Sequence, residues 1–261
     1  MSQDQTSTLA PAAPRGQIQR VRHETRRRNL TVARVEELTP AMRRVHFQSP
    51  ELSDFVSMSP DDHIKLIFAE VDGAAVMRDY TPRSFDNAAG TLVVDFALHG
   101  DAGPATAWAM QAKAGDDFQI GGPRGSAIIP DVFDWYLLVG DETALPAIGR
   151  RVEELRADVP VTTIAVIDTA ADVQSFETAA KWDAAWICRD AEGHDDIANV
   201  RKAIDKLFPT GGEGFVWIAG EGQFAKALRA HVLEQHGHPI NRMKAAGYWV
   251  KGDTGAHQPL D

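Results

Sequence analysis

A single cysteine, Cys188, among 261 residues leaves no disulfide framework and no cysteine-ligated zinc or iron–sulfur centre. In the apolar run AAWICRD it reads as a buried strand thiol. No apolar run approaches the ~20 residues that span a bilayer. The start, MSQDQTSTLAPAAPRGQIQ, has no apolar h-region of a secretory signal, so the chain is expected to be cytoplasmic and not membrane-bound, with a flexible tail over 1–19. Basic residues are scarce, 27 against 37 acidic, for a net charge of -10. That balance argues against nucleic acid as a partner. The one local exception, Arg20, Arg22, Arg26, Arg27 and Arg28, reads as a solvated arm. No internal repeat is present, and neither a catalytic triad nor a zincin-type His pair with its Glu.

What is there falls into two halves. From Asn29 to Gly122 the runs LTVARVEEL, RRVHFQS, HIKLIFAEV and TLVVDFALH alternate with turn material, the signature of short antiparallel strands closing a small barrel. One helix interrupts them, with Pro104 suited to its first turn and Gly115 to its stop. After Asp131–Asp134 the pattern changes to strands (WYLLVGD, VTTIAVID, AAWICRD, GFVWIAG, NRMKAAGYWV) alternating with helices (ETALPAIGRRVEELRAD, a fragment at ETAAKWD, DDIANVRKAIDKLF, EGQFAKALRAHVLEQH). Such alternation predicts a parallel sheet covered on both faces, with ligands beyond its carboxyl ends. The expected fold is therefore an N-terminal antiparallel β-barrel domain over 20–131 and a C-terminal parallel α/β domain over 132–261.

Between these halves lies RDYTPRSFD, Arg78 to Asp86. Alternation along a strand sets Arg78, Tyr80 and Pro82 on one side and Asp79, Thr81 and Arg83 on the other. An aromatic wall, a hydroxyl and a cation are what a flavin needs for its ring, its N5 edge and its pyrophosphate; an edge strand capped by a turn is the plain alternative. Downstream, HGDAGPATAWA opens a helix whose free N–H groups and small residues would admit a diphosphate.

The stretches RDYTPRSFD, DFALHGDAGPATAWA, IGGPRGS, LLVGDETALPAIGR, WIAGEGQFAKALRAHV and GYWVKG, in order across about Asp62 to Gly252, together resemble the siderophore-interacting proteins. These are flavin-dependent ferric-siderophore reductases of the ferredoxin-reductase-like superfamily. The resemblance implies an FAD-binding barrel and a nicotinamide-binding α/β domain. Arg78, Tyr80, Thr81 and Arg83 would bind the isoalloxazine and phosphates, and His99, Gly103, Pro104, Ala105 and Trp108 the rest of FAD. YTPR stands where the family more often has YTVR, which keeps the hydroxyl and both arginines.

The resemblance also places the loop of Asp141, Glu142 and Thr143 against the flavin, where it helps position the nicotinamide; Thr143 as a helix cap is the structural alternative. Gly220 and Glu221 become a nucleotide contact. Lys65, Arg124 and Lys251 are candidates for an anionic ferric chelate, although strand lysines commonly snorkel to solvent. Tyr80, Thr81 and Lys251 are the residues expected nearest the chemistry. Tyr248 and Trp249 read as core or interface packing, or as a wall the nicotinamide displaces. His231, His236 and His238 read as helix-end histidines, with no intrinsic metal site.

The implied activity is reduction of ferric siderophores by NAD(P)H through FAD, releasing Fe(II), by a monomer. Asp168, ending the second α/β strand with no basic residue before Lys181, favours NADH over NADPH, unless the ribose meets Gly220–Phe224 or Arg189. Two alternatives stand: a reductase passing electrons to a ferredoxin or flavodoxin, and a siderophore-binding module without catalysis.

Overall fold

The computed structural model describes residues 16–71, 74–98, 103–252 and 258–259. In chain order the N-terminal half forms β1 (Gln19–Arg22), β2 (Arg27–Thr39), β3 (Met42–Gln48), β4 (Ile64–Val71), β5 (Ala74–Tyr80), β6 (Ser84–Asp86), β7 (Thr91–Ala97), α1 (Pro104–Gln111), β8 (Asp117–Gly121) and β9 (Gly125–Ile128). Seven of these strands make one sheet in the order β5-β4-β8-β2-β3-β7-β6, every neighbouring pair antiparallel. Period-2 patterning drives it: along β2 Leu30 and Val32 turn inward while their neighbours stay exposed. The inward residues, among them Phe47, Leu66, Phe96 and Ile120, share one core. The two end strands, β5 and β6, are consecutive in the chain and joined only through residues 81–83. The sheet thus returns on itself without a closing ladder.

β1 and β9 form a separate two-stranded ribbon, so the arginine cluster is part of the fold: Arg20, Arg22, Arg26 and Arg27 are solvent-exposed as expected, and Arg28 is not. Arg20 and Arg22 lie in β1, and Arg28 is 5 % exposed. The Arg28 guanidinium donates to Glu51 O, Gly122 O and Asp54 and lies over the Phe55 ring. Strand alternation turned it inward, and three acceptors replace the water it lost. Helix α1 stops at Gln111, short of Gly115, whose φ of 92° serves the turn into β8.

The C-terminal half forms β10 (Trp135–Gly140), α2 (Leu145–Glu154), β11 (Pro160–Ile167), β12 (Lys181–Cys188), α3 (Arg189–Glu192), α4 (Asp196–Leu207), β13 (Gly214–Glu221), α5 (Gly222–His236), β14 (Met243–Trp249) and β15 (Gln258–Pro259). Their order is β12-β11-β10-β13-β14-β15. The first five strands are parallel and β15 pairs antiparallel with β14. One face packs on α2 and the other on α4 and α5.

Two expectations fail here. ETAAKWD is not helical: after a 3-10 turn at Ala170–Asp172 the chain runs extended, and Lys181–Asp183 already belongs to β12. Phe176 fills the face instead, so close to α2 that a Cβ on Gly149 would lie 2.6 Å from its ring. Thr178 Oγ1 ties the crossover to Val152 O at 2.6 Å. Cys188 is only partly buried, because β12 is an edge strand and the thiol sits at its end.

The halves are bolted together. Arg150 donates to Ser57 Oγ, Ser57 O and Pro82 O. Asp61 receives the Trp217 indole N–H at 3.0 Å and pairs with Lys244 at 2.5 Å. Although burial pushes the Asp61 carboxyl up, Lys244, Trp217 and Ser59 hold it down at about 2.

Candidate active site

The junction of the two sheets leaves a cleft of about 290 Å³, near the lower bound of small-molecule sites. Its barrel side is built by the end of β5. Met77, Arg78, Asp79, Tyr80 and Thr81 all line it, where simple alternation would present only every second residue. The difference arises because β5 is an edge strand that ends at Tyr80, and the chain then turns toward β6. The Tyr80 ring packs on Phe96 at 4.6 Å, and burial pushes its phenol well up. Arg78 has no carboxylate partner among the described residues.

Beside this wall stands the N-terminus of α1. Gly103, Pro104, Ala105 and Thr106 line the cleft. Pro104 opens the helix, and the first intrahelical bond is Ala107 N–H to Gly103 O. The N–H groups before it have no helical acceptor and are ready-made donors to an anion. A Cβ on Gly103 would meet nothing within 4 Å, so the approach is open.

The opposite side comes from the carboxyl ends of β10 and β14. Asp141 is 3 % exposed and organises it. Its Oδ1 accepts from Thr143 N–H at 2.9 Å and the Thr143 hydroxyl at 2.5 Å, and its Oδ2 from Glu221 N–H at 2.8 Å and the Trp249 indole at 2.9 Å. The cap is therefore Asp141, with Thr143 as its donor. Gly220 makes this approach possible: its φ is +149°, and a Cβ there would lie 2.6 Å from Asp141 Oδ2. Glu221 caps α5, accepting from Gln223 and Phe224 N–H; neither Gly220 nor Glu221 lines the cleft, whereas Glu142, Thr143, Tyr248 and Trp249 do.

Glu142 is 7 % exposed. Burial and the neighbouring Asp141 raise its carboxyl to about 7, against the pull of Arg189. Arg189 is shared: it contacts Glu142 at 3.1 Å, Asp168 at 2.8 Å and Asp196 at 2.9 Å.

Several residues singled out in the sequence lie elsewhere. Arg83 is 6 % exposed, away from the cleft lining, and forks onto Glu153 at 2.5 and 2.7 Å with Phe176 under it. The turn after Pro82 points it at α2. Trp108 packs among Phe47, Phe96 and Phe118 and borders a second cavity that also reaches Pro104. Lys65 lines the cleft, but its ammonium is held by Asp79 at 2.7 Å. Arg124 and Lys251 are exposed and absent from the lining, so the three basic candidates are not gathered into one cluster. His99 lies outside the described residues.

Asp61, His63, Asp79, Asp95 and Pro146, which also line the cleft, were not picked out in sequence. One buried lining atom, Asp79 Oδ1, lacks a hydrogen-bond partner among the described residues; native interiors leave few such atoms. An aromatic wall, a hydroxyl, a guanidinium with no carboxylate partner among the described residues, helix N–H groups without a helical acceptor and one unspent carboxylate oxygen fit FAD.

Residues 133–252 match the siderophore-interacting protein family, and residues 31–75 and 69–127 its FAD-binding domain. The NADPH-dependent ferric-chelate reductase of Escherichia coli is 32 % identical over 253 residues, covering 88 % of this chain and 96 % of its own. The ferric vibriobactin reductase of Vibrio cholerae is 26 % identical over 179 residues, 68 % of this chain and 65 % of its own. Among solved structures, a siderophore utilization protein from T. fusca superposes with a TM-score of 0.83 at 31 % identity, covering 91 % of this chain and 98 % of its own. A ferredoxin reductase of a carbazole 1,9a-dioxygenase, 18 % identical with a TM-score of 0.66 over 84 % of this chain and 66 % of its own, shares the fold.

Proposed function

The chain belongs to the siderophore-interacting protein family, and from that membership and its cleft we infer that it is an FAD-dependent oxidoreductase reducing ferric siderophores with NAD(P)H. The observation that carries this reading is the meeting, in one cleft, of the Arg78–Thr81 wall and α1 N-terminus of the barrel with the Glu142–Thr143 loop and Trp249 of the parallel sheet. FAD bound there would supply the conversion of a two-electron hydride donor into single electrons for iron, so that one donor would serve two ferric ions. Tyr80 walls the ring, Thr81 offers its hydroxyl to the ring edge, and Arg78 with the α1 N–H groups neutralises the diphosphate. Trp249, tied to Asp141, covers the side from which a nicotinamide enters. The hard-oxygen chelate holds Fe(II) less well than Fe(III), and the iron is released.

We assign Lys65, Arg124 and Lys251 to attraction of an anionic ferric chelate as dispersed charges, since only Lys65 borders the cleft. For the donor we favour NADH: Asp168, Glu142 and Asp196 crowd Arg189, which leaves it little charge for a 2′-phosphate. No helix among the described residues is long and apolar enough to cross a membrane. We place the protein in the cytoplasm, where its nicotinamide donor is, acting as a monomer. A carrier protein as acceptor is the weaker reading, because a net charge of -10 opposes docking of an acidic partner.

The test is anaerobic mixing of the flavin-loaded protein with NADH or NADPH, then with ferric chelates of differing charge, following the flavin band. Bleaching by the donor and recovery on adding ferric siderophore, with Fe(II) trapped by a ferrous chelator, is the expected result. A flavin that is reduced yet reoxidised only by a ferredoxin would overturn the substrate assignment.

A further inference from the structure

The densest histidine group in the sequence has a geometry that helix-end solvation does not explain. His231 and His236 lie on α5, five positions apart, which is about 140° around a helix of 3.6 residues per turn. Solvated side chains at that angle would diverge. Instead both Nε2 atoms converge on Asp205 Oδ1 of α4, at 2.7 and 2.9 Å. The three atoms lie within 4.8 Å of one another.

The convergence is held from behind. His236 stacks on Phe208, one turn beyond Asp205, with ring centroids 4.1 Å apart and planes at 16°. His231 meets His236 edge to face at 5.6 Å. The imidazoles are only 11 % and 16 % exposed while the Asp205 side chain is 53 % exposed, so the rings are fixed and the carboxylate side is open to water. His238 takes no part, since its Nε2 bonds Arg242 O at 2.9 Å.

We propose that Asp205, His231 and His236 form a binding site for a divalent transition-metal ion of the zinc and nickel class. Two imidazoles and one carboxylate are borderline donors that suit these ions and not Mg²⁺ or Ca²⁺. A tetrahedral Zn²⁺ with bonds of about 2.0–2.1 Å sets its ligand atoms about 3.3 Å apart. A displacement of roughly 0.5 Å of the exposed Asp205 carboxylate brings its distance from each Nε2 to that spacing, the two Nε2 atoms already lie within 4.8 Å of one another, and water completes the shell. A metal takes Nε2 of each imidazole in the neutral form that carries its proton on Nδ1. The site is remote from the redox cleft: α5 starts at Gly222, after its cap Glu221, and runs 15 residues to His236, about 21 Å at 1.5 Å per residue. The metal therefore clamps α4 to α5 at the far end of the sheet and takes no part in the flavin reaction.

Tag-free protein is titrated with Zn²⁺ by calorimetry and with Co²⁺ by visible absorption, with thermal melts in parallel. One ion per chain and a higher Tm with Zn²⁺ are expected. His231→Asn and Asp205→Asn, each with parental circular dichroism, should bind at least about tenfold more weakly and lose the Tm rise, while His194→Asn, at an exposed histidine, should match the parent. Absence of saturable Zn²⁺ binding, or equal binding by the parent and both variants, overturns the proposal.

Discussion

The indole N–H of Trp249 donates to Asp141 Oδ2 at 2.9 Å, joining the end of β14 to the end of β10. The same oxygen takes Glu221 N–H, so one buried carboxylate sets the positions of the cleft's aromatic cover and of the start of α5. Asp141→Ala removes the acceptor from several donors at once. Hydrogen bonds to a charged group contribute about 1.5–3 kcal/mol each, and part of the loss is offset by water. We expect roughly 2–4 kcal/mol of destabilisation in urea unfolding, with a changed tryptophan emission spectrum. A loss below about 0.5 kcal/mol would assign Asp141 no organising role.

Arg83 and Arg78 separate stability from flavin binding. Arg83→Ala forfeits the fork to Glu153 and the packing on Phe176, and should cost roughly 2–3 kcal/mol. Arg78→Ala should leave stability within about 0.5 kcal/mol and lower flavin affinity ten- to a hundredfold, about 1.5–3 kcal/mol. Equilibrium dialysis of FAD beside denaturant melts checks both; the reverse pattern would return Arg83 to the cofactor site.

Glu142 makes stability depend on pH. Its folded carboxyl titrates near 7 against an ordinary 4.5, so between those values the folded chain holds a proton that the unfolded chain has released. Stability therefore falls as pH rises through this window, by an amount on the order of 3 kcal/mol, and the cost is fully present above pH 7. Glu142→Gln should unfold at the same denaturant concentration as the parent near pH 4.5 and at a higher one at pH 7.5. A difference constant with pH would show that Arg189 keeps the carboxylate ionised throughout.

Charge at the basic candidates is tested with an anionic and a neutral ferric chelate. Lys65→Gln should raise the KM for an anionic ferric chelate more than Arg124→Gln or Lys251→Gln does, because Lys65 alone borders the cleft. All three effects should shrink with added salt, and KM for a neutral chelate should not move. Equal losses with both chelates would remove these residues from substrate attraction.

Donor choice is tested by stopped flow. Arg189→Ala should alter flavin reduction by NADH and NADPH alike, since its guanidinium is held by Glu142, Asp168 and Asp196. A parent rate constant over dissociation constant clearly higher with NADPH, lost in Arg189→Ala, would make this arginine the 2′-phosphate contact.

The sequence alone determined the two-sheet architecture, because hydrophobic period is a local property: strands of period 2 before about 131, and strands alternating with amphipathic helices after it. RDYT and the helix opened by GPAT were legible for the same reason, each being a continuous run whose residues reach one side of the cleft together. Tertiary structure decided what depends on residues far apart in the chain. Alternation alone could not show that the sheet edge exposes Met77 to Thr81 consecutively, that the turn after Pro82 delivers Arg83 to Glu153 seventy positions away, or that Asp79 neutralises Lys65. Nor could it show the acceptors that meet Arg28 inside, or Asp205 under two histidines of another helix. In each case a charge found its partner through the fold, and a buried or half-buried charge is governed by the nearest acceptor in space, whatever its distance along the chain.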